Sequence, residues 1–94
     1  GITVSAITKK VRERFALRWD SIGVVVTLVD SKSKVVATGL KPGDVIVQAN
    51  LKEIWQPKQL TKIITAAKNS EKAEILILIE SPHGLRYSLL PLNK

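Results

Sequence analysis

His83 is the one histidine of the chain and stands in the turn sequence Pro82-His83-Gly84. An imidazole can act as a general base or bind a metal, but it needs a carboxylate or further ligands beside it. In such a turn the expected state is a side chain in water, and one histidine cannot assemble the usual zinc set. Asp44 is a second candidate, as a catalytic carboxylate. Directly after Lys41-Pro42-Gly43 it reads instead as the acid that opens a strand. The eight acidic residues are dispersed and form no evident pair for acid–base work. Neither a GxSxG elbow nor an HExxH pattern occurs. Gly39 and Gly43 precede a strand rather than a helix, with no P-loop lysine, so they make no phosphate cradle. Cysteine is absent, which removes disulfides, thiolate chemistry and cysteine metal sites. The reading is no catalytic residue, no metal and no cofactor: the domain is not an enzyme by itself.

Binding is the remaining class of function, and charge bears on it first. Fifteen Lys and Arg against eight Asp and Glu give a net charge of +7. Such a balance can mark a surface for nucleic acid or anionic membrane. Here the basic residues are scattered singly as far as Lys94, and only Lys9, Lys10, Arg12, Arg14 and Arg18 cluster. Trp19 and Trp55 are not interleaved with a basic run, as a stacking platform requires. A solvated basic surface is expected, and nucleic acid is not an expected partner. The longest apolar run, Ile75 to Ile79, falls far short of the ~20 residues that span a bilayer, so no membrane span is read. There is no signal-peptide pattern at Gly1. GITVSAIT reads as a strand already in progress, as in a chain cut from a longer protein.

A single domain over residues 1–94 is expected, with 45% apolar but only 4% aromatic residues, hence a core of Val, Ile and Leu. Its elements follow from periodicity. Gly1 to Ala6 alternates, with Ile2, Val4 and Ala6 on one face, as a half-buried strand that could form an edge. Thr8 is placed to cap a helix from Lys9 to about Leu17, with Val11 and Phe15 as its apolar stripe. Ile22 to Val29 is a strand, with Val24, Val26 and Leu28 on one face and Val25, Thr27 and Val29 on the other. A polar loop and a helical turn through Val35, Val36 and Ala37 lead to the stretch Thr38–Asn50, TGLKPGDVIVQAN. There Lys41, Pro42 and Gly43 make a tight turn, Val45 to Ala49 forms a strand covered on both faces, and Asn50 ends it.

A brief strand around Glu53 and Ile54 precedes a helix that begins at Pro57, a position tolerant of the missing N–H. Leu60, Ile63, Ile64 and Ala67 recur at helical spacing, with Lys58, Lys62 and Lys68 on the wet side. Ala73 to Glu80 and Leu85 to Leu92 alternate around the turn Ser81 to Gly84, a hairpin with Tyr87 and Leu89 on one face. The fold class is α+β and strand-rich: a partly open β-barrel or sandwich of five to six strands capped by two helices. Strands and helices do not alternate as in a doubly wound sheet.

Residues TGLKPGDVIVQAN resemble the xGL(x)PGDVIxxxN run of PDZ domains, in the wording found in bacterial HtrA/DegP (Do-type) serine proteases. GITVSAIT, VRERFAL, IGVVVTLVD, QLTKIITAAK and LRYSLLPL are similar, in order, to other stretches of the second, C-terminal PDZ domain of those proteases. The resemblance implies the circularly permuted bacterial form of the fold and a non-catalytic module that binds an extended or C-terminal peptide as an added strand. Its edge strand would be Gly1, Ile2, Thr3, Val4 and Ser5, with Gly1 in the carboxylate-binding loop. Gln59, Ile63 and Ala66 would form the helix wall, and Leu60, Ile64 and Ala67 would face the core. The implied partners are peptides or unfolded protein substrates, together with other domains and protomers of a periplasmic parent protease. The same resemblance implies an alternative role, an inter-protomer assembly element with little peptide affinity. Leu51 departs from the family pattern, since many relatives have glycine there, the residue suited to a positive φ.

Overall fold

The computed structural model describes residues 1–92, so Lys94 lies outside the described residues. In chain order the elements are β1 (Ile2–Ala6), α1 (Lys9–Arg14), β2 (Val24–Val29), a 3-10 helix (Lys34–Thr38), β3 (Val45–Ala49), β4 (Lys52–Glu53), α2 (Pro57–Asn69), β5 (Glu74–Ser81) and β6 (Gly84–Pro91). The six strands form one open antiparallel sheet in the order β1-β2-β3-β5-β6, with β4 attached to β3. The strand-rich α+β expectation with two helices describes this architecture.

One face of the sheet carries the core. Val24, Val26, Ile46, Ile75, Ile77 and Ile79 are buried there, and α2 covers them with Leu60 and Ala67. The alternation of β5 explains its share: Ile75, Ile77 and Ile79 point one way, while Leu76 and Leu78 are half-buried on the other. On that second face Val25 and Val45, opposed across the β2–β3 ladder, are also buried. Phe15 packs beside them, over Gly43, close enough that a Cβ on Gly43 would lie 3.3 Å from Phe15 Cδ1.

Local signals account for most boundaries. The Thr8 hydroxyl accepts the Val11 N–H at 3.2 Å, so the expected cap of α1 is present. The helix nevertheless ends at Arg14 rather than near Leu17. Ala16 turns left-handed at φ 52°, Leu17 N–H donates to Arg12 O and Ala16 N–H to Glu13 O, a Schellman stop built on alanine. The 3-10 helix begins at Ser33, whose hydroxyl accepts the Val35 N–H, and stops at Gly39, whose φ of 80° is the left-handed ending glycine allows. The Lys41–Asp44 turn is closed twice, by Asp44 N–H on Lys41 O and by Lys41 N–H on Asp44 Oδ2. This is why Asp44 is buried: its carboxylate serves the turn.

Strand β2 corrects the expectation twice. It starts at Val24 rather than Ile22, which is exposed, and Leu28 is exposed while Val29 packs against the core. The pairing with β1 shifts between Thr3 and Val4: Val4 opposes Val26, but Thr3 opposes Leu28. One extra residue in β2 therefore reverses which side chains face inward beyond it. Strand β4 spans Lys52–Glu53, with Ile54 buried just after it.

Strands β3 and β4 form a hairpin with two loop residues, Asn50 at φ 52° and Leu51 at φ 64°. Both angles are positive, as a type I′ turn demands, and leucine is poorly suited to the second place. Leu51 is exposed, so its side chain contributes little in return. Leu51→Gly should therefore raise stability by about 0.5–1 kcal/mol, read as a higher urea midpoint at unchanged slope.

Candidate functional site

Strand β1 lies at one end of the sheet, bonded to β2 on its inner edge. No strand among the described residues pairs with its outer edge. Gly1 O accepts the Asp30 N–H at 2.7 Å, and Ile2 opposes Val29. Alternation along β1 then turns the N–H and C=O of Ile2 and Val4 away from β2, toward the unpaired edge. Their side chains stand off one face of the strand and pack partly buried against the core, which anchors the strand. Thr3 is exposed, and the half-buried Ser5 donates its hydroxyl to Ala6 O.

Helix α2 runs beside this edge. At the Gly1 end a cavity of about 210 Å³ opens between Gly1 and Ile2, Ile64 and Lys68 of α2, Val35, and the end of β6 at Leu90 to Leu92. Its lining mixes aliphatic side chains with a larger share of polar surface, and Lys68 is its one basic side chain. Gly1 rests on Ser33: a Cβ there would overlap Ser33 Oγ and lie 2.7 Å from Ser33 Cβ. A side chain at position 1 would thus press on the cap of the 3-10 helix.

The residues expected from the sequence are distributed unevenly. Gly1, Ile2, Thr3, Val4 and Ser5 share the edge strand and its approach. Gln59 sits at the start of α2, where Oε1 accepts the N–H groups of Trp55 at 2.6 Å and Gln56 at 2.8 Å, the capping-box arrangement. Ile63 and Ala66 line a different cavity of about 190 Å³, with Asn50, Lys52 and Lys72. The helix presents Ile64 and Lys68, not Ile63 and Ala66, to the space beside Gly1 and Ile2. A signal for them existed in the four-residue spacing that stacks 64 and 68 on one side. Nothing in that spacing says which neighbour the side meets.

His83 is exposed in its turn. Among the described residues no group of three or more His, Asp or Glu side chains is placed to hold a metal. No helix among them is long and apolar enough to cross a membrane.

No family model matches the chain. The probable periplasmic serine endoprotease DegP-like of Brucella suis biovar 1 is 37% identical over 75 residues, 80% of this chain and 15% of that protein. The protein of the same name from Rickettsia conorii is 33% identical over 79 residues, 84% of this chain and 15% of its own length. The chain thus spans about one-seventh of these curated relatives. Two solved structures share its fold. The crystal structure of the HtrA3 PDZ domain bound to a phage-derived ligand, FGRWV, superposes with a TM-score of 0.75 at 20% identity, covering 97% of this chain and 80% of that one. The HtrA-type protease AlgW with a decapeptide gives 0.76 at 23% identity, covering 97% and 27%.

Proposed function

Since the chain is a PDZ domain of the HtrA/DegP kind, we propose that it binds extended or C-terminal peptide by strand addition along the outer edge of β1. In this reading it is a non-catalytic recognition module, the second PDZ domain of a periplasmic Do-type serine endoprotease, and peptide-bond cleavage belongs to the rest of that protein. The observation that carries the proposal is the edge of β1, unpaired among the described residues, with α2 and a cavity lined by Ile2, Val35, Ile64 and Leu90 beside it. The N–H and C=O groups of Ile2 and Val4 would continue the ladder into the visitor, which gives affinity tolerant of sequence. One apolar side chain would enter the cavity between Ile2, Val35, Ile64 and Leu90, while Lys68 favours a carboxylate near its rim. The wall of the groove is then Ile64 and Lys68, with Gln59 capping the helix and Ile63 and Ala66 on its far flank.

Titration with a short hydrophobic peptide ending in a free carboxylate should move the amides of residues 1–6 and those around Ile64 and Lys68. Ile64→Lys, a half-buried position at the cavity wall, should weaken binding about tenfold or more with the fold kept. Absence of shifts at millimolar peptide, or shifts confined to other segments, overturns the proposal.

A second reading, an inter-protomer assembly element, is favoured by one observation. Leu85, Tyr87 and Leu89 share the outward face of β6 and are 62%, 56% and 49% exposed, an apolar surface that a neighbouring protomer could cover. Sedimentation of the parent protein carrying Tyr87→Arg separates the two, since only the assembly role requires that face.

A further inference from the structure

A second cleft lies at the other end of the sheet from the β1 cavity. It has a volume of about 510 Å³, more than twice the 210 Å³ beside Gly1, and separates the Thr38–Asp44 turn from the β5–β6 turn. Lys41, His83 and Arg86 stand in its walls. Arg86 is half-buried and its guanidinium lies over the end of the 3-10 helix, 3.5 Å from Thr38 O, where the free carbonyls of a helix terminus favour a cation. Asp44 is the only acid lining the cleft, and its carboxylate is buried and engaged with the Lys41 N–H. Among the described residues the only ion pair is Arg18–Asp20, so no acid among them neutralises Lys41 or Arg86.

The cleft continues into a smaller hollow of about 260 Å³, with Phe15, Gly43, Ser81 and Pro82 common to both. Leu17 and Val45 add apolar wall there, and its acid, Glu80, accepts the Ser21 hydroxyl at 2.6 Å. Phe15 lies close over Gly43, where a Cβ would sit 3.3 Å from its ring, and forms the floor that both share. Cationic groups thus sit beside an apolar hollow, on the two turns that frame it.

From this juxtaposition we propose that the cleft is a second docking site, for an acidic protein segment carrying an aromatic or aliphatic side chain next to its carboxylates. The apolar side chain fills the hollow over Phe15 and Pro82, and the carboxylates meet Lys41 and Arg86. The excess of Lys and Arg over Asp and Glu in the chain, 15 against 8, adds long-range attraction for the same class of partner. This site does not use the edge of β1 and stands or falls separately from peptide addition there.

The probe is acetyl-Gly-Phe-Asp-Phe-Glu-Gly-amide, whose blocked ends offer no terminal carboxylate to the β1 cavity. Followed by amide shifts, it should move Phe15 and residues 38–44 and 81–86, with affinity falling as salt rises. The Asn/Gln analogue of the peptide should bind about tenfold more weakly, as should wild-type peptide to Lys41→Glu/Arg86→Glu. Lys41→Glu alone, at an exposed position, keeps the test valid should the double variant fail to fold. Ile64→Lys should leave this binding unchanged. No shifts in these segments at millimolar peptide, equal binding of the neutral analogue, or shifts confined to residues 1–6 would each overturn the proposal.

Discussion

Gly23→Ala should cost the domain roughly 3 kcal/mol or more, the largest loss expected from adding a single methyl group. The glycine precedes β2 with φ at 146°, a backbone angle that L-residues rarely adopt. A Cβ there would overlap the carbonyl oxygen of Ile46 and lie 2.9 Å from Val45 Cγ1 and 3.1 Å from the carbonyl carbon of Ile46. Two of those neighbours are backbone atoms of β3, so relief requires moving a central strand rather than a rotamer. Val24 and Val25 follow at once and bridge β1 to β3, pairing Ala6 and Ser5 on one side and Ile46 and Val45 on the other. A domain of this size has about 5–15 kcal/mol in total, so the loss is a large fraction of it. Urea unfolding monitored by circular dichroism measures it; a shift below about 1 kcal/mol would show that β2 can enter the sheet without the close approach.

Val4→Pro should weaken peptide addition about tenfold or more while leaving the domain folded. The Val4 N–H faces the unpaired edge, so proline removes a donor the sheet does not use and places its ring where the visiting strand must lie. Some stability is lost as well, about 1–2 kcal/mol, because the valine side chain packs partly buried against the core. Calorimetric titration gives the affinity, and hydrogen exchange of the β1–β2 amides reports whether β1 stays in place. A variant with protected β1 amides and undiminished affinity would mean that the peptide docks somewhere other than this edge.

Much of this molecule follows from local pattern alone. Period-two alternation in β5 puts Ile75, Ile77 and Ile79 on the core face, and the Thr8 cap, the Pro57 helix start and the Lys41–Asp44 turn are each specified within four or five residues. The strand bearing the candidate site was equally visible, because an edge strand alternates like any other half-buried one.

Tertiary structure decided the rest. An extra residue in β2 turned Leu28 outward and Val29 inward, and pattern gives no warning of a bulge that only the pairing with β1 defines. Ala16 and Leu51 adopt left-handed angles that neither residue prefers locally, held there by the hydrogen bonds of a helix end and by a β3–β4 ladder. Helical periodicity groups Ile63 with Ala66 and Ile64 with Lys68, but both pairs have an apolar member and an equal claim to face the groove. Only the angle at which α2 crosses the sheet places Ile64 beside Ile2 and turns Ile63 toward Asn50. Periodicity is a property of one element, whereas a binding wall is a relation between two, set by packing across a distance that no short window of residues contains.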